Sequence, residues 1–199
     1  MAAQIKEIKT ESPAAFVVIY ADWGDNYRWK EASQTGYAHR LIDAGADLII
    51  GHGAHMEQEF ETYRGRWVFY GIGNFMFNSH GRYDRYDVEP FSLALQTVFR
   101  PTANGVNGSI RAYPLVTDNE KTGYQSRPLT DEEFQKAWAL WLEKSPTPGR
   151  LRETAKTGKD AFGPFIEVPL TTSFSEAELR RAWAREQIER LGGRVERVP

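Results

Sequence analysis

The stretch GHGAH, Gly51 to His55, sets two imidazoles three residues apart on a loop whose glycines let the backbone take positive φ. Neutral imidazole is the commonest metal ligand. Two on one tight loop can point at one small volume. Asp22 ends the apolar run FVVIYAD, where a carboxylate is costly unless it is paired or bound to a cation. Asp22, His52 and His55 together make one carboxylate and two imidazoles. That set suits zinc, manganese or iron, and ligand type alone does not choose among them. The competing readings are a polar loop with two exposed histidines and an aspartate that caps the loop after its strand. These residues alone leave both open.

Other stretches are narrower in what they allow. GIGNFMFN lacks the third glycine of a dinucleotide-binding loop, because that position is Met76. Asn74 could donate to a bound anion or orient a histidine, and a plain turn asparagine is the alternative. The loop NSHGRYDRYD carries His80, Arg82 and Arg85. Arginine forks suit phosphate or carboxylate, so the loop either lines a substrate cleft or is a solvated connection. His39, inside a helical pattern, reads as structural. No serine sits in a GxSxG elbow and no P-loop is present.

The elements that must position these residues follow from periodicity. Phe16–Asp22 and ADLIIG read as buried strands, and Lys30–Ala44 between them as a helix with Ala32, Ala38, Leu41 and Ile42 on one face, stopped at Gly45. Strand–helix–strand implies parallel neighbours with a right-handed crossover. Functional loops of open α/β sheets gather at the carboxyl ends of strands. Asp22 and His52 are therefore expected side by side. EQEFETY and RWVFYGIG flank Arg64-Gly65 as a hairpin. FSLALQTVF and GSIRAYPLV follow as further strands, making the second half of the sheet mostly antiparallel. Thr130 and Glu133 form a capping box ahead of a helix with Phe134, Ala137, Trp138, Trp141 and Leu142 on its packed face. SPTPGR reads as a break and GPFIEVPL as a short strand. Ser175 and Glu178 repeat the capping box before a last helix with Leu179, Ala182, Trp183 and Ile188 as its apolar stripe, ended by Gly192-Gly193. The organisation expected is a flexible lead-in over 1–14, a partial domain over 15–170 and a C-terminal helical appendage over 171–199.

Composition bounds the function classes. The chain has 199 residues, a formal net charge of −2 and no cysteine. It is long enough for one domain with a core. It has no basic bias toward nucleic acid, no disulfide framework and no thiolate site. No run approaches the roughly 20 apolar residues that span a bilayer, and MAAQIKEIKTESPAA lacks an apolar signal core. The expectation is a soluble chain, cytoplasmic by default.

FVVIYADWGDNY, followed by LIDAGADLIIGHGAHMEQEFETYRGRWVFYGIGNFMFN, resembles the CapA family of capsule and poly-gamma-glutamate biosynthesis proteins. The matching features are the Trp23-Gly24 loop, Leu41 to Asp47, Ile50 to His55, the spacing His55/Gln58/Glu61, and Gly73-Asn74-Phe75. The likeness extends over residues 15 to 145. It implies an α/β fold with a mixed sheet, the C-terminal half of an αββα metallophosphatase-like sandwich related to calcineurin-type phosphoesterases. It further implies a role in polymer biosynthesis with a metal-dependent, phosphoesterase-type hydrolase site. Asp22, His52 and His55 would be ligands to a divalent metal. Gln58, Asn74 and Arg82 would support those ligands or contact substrate, a phosphoester or an anionic polymer. The family has histidine where this chain has Asp22. Its earlier half supplies a Gly-Asp strand end and further ligands that this sequence lacks, so a partner chain supplying that half is one expectation. An incomplete two-sheet fold leaves edges uncovered, and exposed apolar surface with self-association is expected. The alternative function is a non-catalytic module that binds an anionic polymer or a synthase partner through Asn74 and the Arg82/Arg85 loop.

Overall fold

The computed structural model describes residues 1–102 and 105–173. In chain order the elements are α1 (Ala2–Glu11), β1 (Val18–Trp23), α2 (Ala32–Asp43), β2 (Leu48–Gly53), β3 (Phe60–Tyr63), β4 (Arg66–Phe69), α3 (Arg82–Arg85), β5 (Phe91–Thr102), β6 (Gly105–Val116), α4 (Asn119–Thr122), β7 (Arg127–Pro128), α5 (Asp131–Lys144), α6 (Pro148–Thr154), β8 (Lys156–Asp160) and β9 (Gly163–Ser173). The strands form two sheets. One is mixed, in the order β1-β2-β4-β3. The other is antiparallel, in the order β5-β6-β9-β8, with β7 on β6.

The strand–helix–strand expectation holds. β1 and β2 are parallel, and their register sets Asp22 beside His52. The β3–β4 hairpin turns at Arg64 and Gly65, with φ of 48° and 74°, the two left-handed positions of a type I′ turn. The expectation of one sheet continuing from parallel to antiparallel is corrected: β5 and β6 open a separate sheet. The side-chain alternation of β2 and β4 explains the layering. Leu48, Trp67 and Phe69 join a cluster with Phe91, Leu93, Ile110, Ile166 and Val168 of the antiparallel sheet. Ile49, Val68 and Tyr70, one position over, face Ile5, Ala38, Leu41 and Ile42 of the helices. The mixed sheet therefore lies between a helical layer and the antiparallel sheet.

Three further expectations change. Residues 1–14 are not a flexible lead-in: residues 2–11 form α1. The helix has no side-chain cap, so tertiary contacts must hold it. Ile5 is buried against α2, and the Lys9 ammonium reaches the buried Asp47 carboxylate at 2.6 Å. β1 is not a strand buried on both faces but an edge strand, with Tyr20 and Asp22 exposed. The segment after α5 is more regular than a break and one short strand, since α6 and the β8–β9 hairpin follow. β9 runs to residue 173, three past the expected boundary at 170. The C-terminal helix expected from Ser175 lies outside the described residues.

Candidate functional site at the carboxyl ends of β1 and β2

Close backbone approach explains the glycines of GHGAH. A Cβ on Gly51 would meet the Tyr70 carbonyl oxygen at 1.9 Å and the Trp23 indole nitrogen at 2.3 Å. Those two atoms are themselves hydrogen-bonded, Trp23 Nε1 donating to the Tyr70 carbonyl at 2.7 Å. Gly53 has φ of 115°, and a Cβ there would stand 2.5 Å from Asp22 Oδ1. Asp22 and His52 thus sit at the mouth of two adjoining strands, with Asp22 Oδ1 3.9 Å from His52 Nδ1. The Asp22 side chain is 87% exposed and that of His52 44%. The carboxylate is consequently solvated rather than trapped, and the desolvation reason for expecting a cation there does not apply.

His55 is held differently. Its φ is 60°, a left-handed conformation uncommon outside glycine. The surrounding bonds over-determine it. Asn74 Nδ2 donates to the His55 carbonyl at 2.9 Å and to the Tyr83 hydroxyl at 3.2 Å. That hydroxyl in turn donates to the same carbonyl at 2.9 Å. With its amide thus oriented, Asn74 Oδ1 must accept, and it lies 2.9 Å from His55 Nδ1. In the neutral ring the proton is therefore on Nδ1 and the lone pair on Nε2, the tautomer that ligates through Nε2. Tyr27 stacks on the ring at 5.6 Å and Phe77 leans on it at 4.6 Å.

Of the supporting residues named from sequence, Asn74 orients the histidine. Gln58 is bonded elsewhere. Fully buried, it donates to the Arg28 carbonyl at 2.8 Å and accepts from Gln34 at 3.0 Å, pinning the Trp-Gly loop to α2. Arg82 bonds the Ser79 carbonyl through Nη1 at 3.1 Å. His39 is structural, 2.7 Å from Glu61 and stacked on Tyr63. Sequence reading missed Tyr27 and Tyr83, which wall His55. Burial pushes both phenols up from their ordinary range and keeps them neutral. Their only signal was aromatic residues in otherwise polar loops.

Among the described residues, no three His, Cys, Asp or Glu side chains come together as a metal centre. The donor types suit a divalent ion, but the described residues do not by themselves fit a complete site.

Comparison with known proteins locates this geometry. Residues 1–79 match the bacterial capsule synthesis protein family PGA_cap. The PGA_cap match contains Asp22, His52, His55, Gln58 and Asn74, and it also takes in α1. The chain is 41% identical over 66 residues to the capsule biosynthesis protein CapA of Bacillus anthracis, covering 33% of this chain and 16% of that protein. It is 34% identical over 118 residues to a probable polyglutamine synthesis accessory protein of Mycobacterium tuberculosis, covering 58% of this chain and 30% of the relative. The PGA biosynthesis protein CapA of Bacillus subtilis is 39% identical over 66 residues, 17% of its length. The chain thus spans less than a third of each of these relatives. The family resemblance read from the motifs holds over this part of the chain.

Proposed function

We propose that this chain acts in the biosynthesis of a poly-gamma-glutamate or capsule-type polymer, and that the adjoining Asp22–His52 pair and, separately, His55 are the donors it offers to divalent metal, manganese, zinc or iron. The observation that carries the reading is His55. Its Nδ1 is committed to Asn74 and its Nε2 is left to ligate, while Asp22 and His52 adjoin each other at the strand ends. The match to PGA_cap over the same residues supports the polymer role. On this reading the remaining donors lie beyond these three side chains, and the chain's share in a phosphoesterase-like reaction is ligand supply. The non-catalytic alternative has less to stand on, because Asn74 is fully engaged and Arg82 is turned onto a backbone carbonyl.

The test is metal content of the full-length protein, which carries the remaining donors, after equilibration with each ion, beside His52→Ala and His55→Ala. Both variants are expected to lose bound metal. Unchanged stoichiometry in both rejects the ligand assignment, whatever the activity on model phosphoesters.

A further inference from the structure

The GHGAH loop is pinned around His55 at successive backbone groups. The Tyr27 amide donates to the Ala54 carbonyl at 2.7 Å, and the Glu57 amide donates to the Phe91 carbonyl, at the start of β5, at 3.0 Å. Between these anchors the His55 carbonyl accepts two hydrogens, one from Asn74 and one from Tyr83. Both of its lone pairs are then in use. A residue other than glycine keeps a left-handed φ only where its surroundings over-determine it, and His55, with φ of 60°, is such a residue.

Tyr83 comes from α3, and its side chain is completely buried. Counting hydrogens gives its hydroxyl a direction. A carbonyl only accepts, so the single Tyr83 hydroxyl hydrogen goes to His55. Toward its other neighbours the phenol oxygen must accept, from Asn74 Nδ2 at 3.2 Å and from Thr117 Oγ1 at 3.4 Å. With the Thr117 hydrogen so placed, Ser92 is the donor in the 2.8 Å contact between Ser92 and Thr117. One directed chain results, from Ser92 to Thr117 to Tyr83 to the His55 carbonyl. Ser92 lies on β5 and Thr117 directly follows β6, so the antiparallel sheet carries its far end. Gly73 permits the approach, since a Cβ there would meet Ser92 Oγ at 2.6 Å. Ser92 and Thr117 are buried like Tyr83. All three lie beyond residues 1–79, the part matched to the capsule synthesis family.

We infer that Tyr83 is a positioning residue for His55, its hydroxyl clamping the His55 carbonyl and the Asn74 amide together while Thr117 and Ser92 anchor it to the antiparallel sheet. The clamp works through the two hydrogens of Asn74 Nδ2. With one on the His55 carbonyl and the other on the Tyr83 oxygen, the amide cannot turn without losing both bonds. Its Oδ1 therefore stays on His55 Nδ1. Without the Tyr83 oxygen, one buried Asn74 N–H has no acceptor and the His55 carbonyl keeps one donor of two. The amide is then free to swing, and the ring is no longer confined to one tautomer. The consequence for metal binding rests on His55 being a ligand, whereas the hold on the ring does not.

Tyr83→Phe removes the oxygen and keeps the ring that packs edge to face on Tyr27. In metal-free full-length protein, nitrogen NMR of the His55 ring, assigned by its loss in His55→Gln, should change from the Nδ1–H form to a mixture of tautomers. Metal affinity should fall about tenfold, the lower end of what losing an outer partner of a ligating histidine costs. Thr117→Val keeps the shape, lacks the hydroxyl and should move the ring signal in the same direction by less. Tyr113→Phe, which deletes a hydroxyl bonded to Asp160 at 2.9 Å, should leave the His55 ring unchanged and so separates positioning from general loosening. An unchanged His55 signal in folded Tyr83→Phe overturns the inference. Where that variant does not fold, an unchanged signal in Thr117→Val does the same. A wild type that binds no metal, but whose ring signal still changes in Tyr83→Phe, rejects the ligand assignment and upholds the positioning.

Discussion

Glu57 gives the sharpest test of the packing. It is 1% exposed, and neither carboxyl oxygen has a hydrogen-bond partner among the described residues. The Trp141 indole N–H is also buried without an acceptor. Burial pushes the Glu57 carboxyl from 4.5 up to about 8. The nearby indole offsets this slightly and the charge of Glu89 adds to it. At neutral pH the group is therefore a buried neutral acid. Its folded value exceeds its unfolded one, so stability is fully present below about pH 4.5 and is lost as pH rises to about 8. The slope is about 1.4 kcal/mol per pH unit, so the loss between pH 4.5 and 7 is on the order of 3 kcal/mol. Glu57→Gln keeps the shape and cannot ionise. Denaturant midpoints at pH 5, 6, 7 and 8 should fall for the wild type and stay nearly level for the variant. Glu57→Leu should exceed the wild type in stability at pH 7, because an unpaired polar group is replaced by an apolar one. Parallel wild-type and Gln profiles would show that the carboxyl is solvated, refuting its burial.

Four further outcomes follow from the same contacts. Asp47 accepts from Lys9, Arg66 and the Val17 amide, so Asp47→Ala, which takes the acceptor from the buried Val17 amide and the shared carboxylate from both cations, should cost about 1–3 kcal/mol in calorimetry. Asn74→Ala should cost about 1–3 kcal/mol and mix the His55 tautomers, which nitrogen NMR of the ring resolves; an unchanged Nδ1–H form would remove Asn74 from the positioning role. Gly51→Ala drives a methyl into the Tyr70 carbonyl and should yield little folded protein by circular dichroism, whereas Gly65→Ala, with open space around it, should fold with only the strain of its positive φ. Arg127 holds the Glu133 carboxyl down at about 2; that stabilisation is present above about pH 4.5 and lost as pH falls toward 2, and because the pair is partly exposed, Glu133→Gln should remove less than about 1 kcal/mol at neutral pH, a difference that closes as stability is titrated toward pH 2.

How much of this could be seen in the sequence depended on the range of the forces involved. The Asp22–His52 juxtaposition was legible because a βαβ unit fixes the order and direction of its strands, and register follows from the hydrophobic pattern. The Arg64-Gly65 hairpin and the capping box of α5 were legible because their determinants lie within four residues. α1 was not legible: its own residues specify a helix weakly, and Lys9 reaches an aspartate 38 positions away. The division into two sheets was hidden too, since alternation tells which residues of a strand share a face but not which sheet lies opposite. The hold on His55 was half visible. Asn74 stood out beside its glycine, whereas Tyr27, from the loop after β1, and Tyr83, from α3, are brought together only by the fold.

β1 shows why such misreadings carry information. VVIYA reads as a strand buried on both faces, because the sequence records the environment in which a strand is stable. Among the described residues only one face has that environment. The apolar character of Val18 and Tyr20 has no use on a solvated edge, where lysine, proline or a bulge would serve better. The mismatch between sequence and surroundings is confined to Val18 and Tyr20 on β1 and recurs at Phe99 on β5. A solvent-facing accident would not be expected on two strands of separate sheets that share one flank. An apolar covering over that flank would account for both.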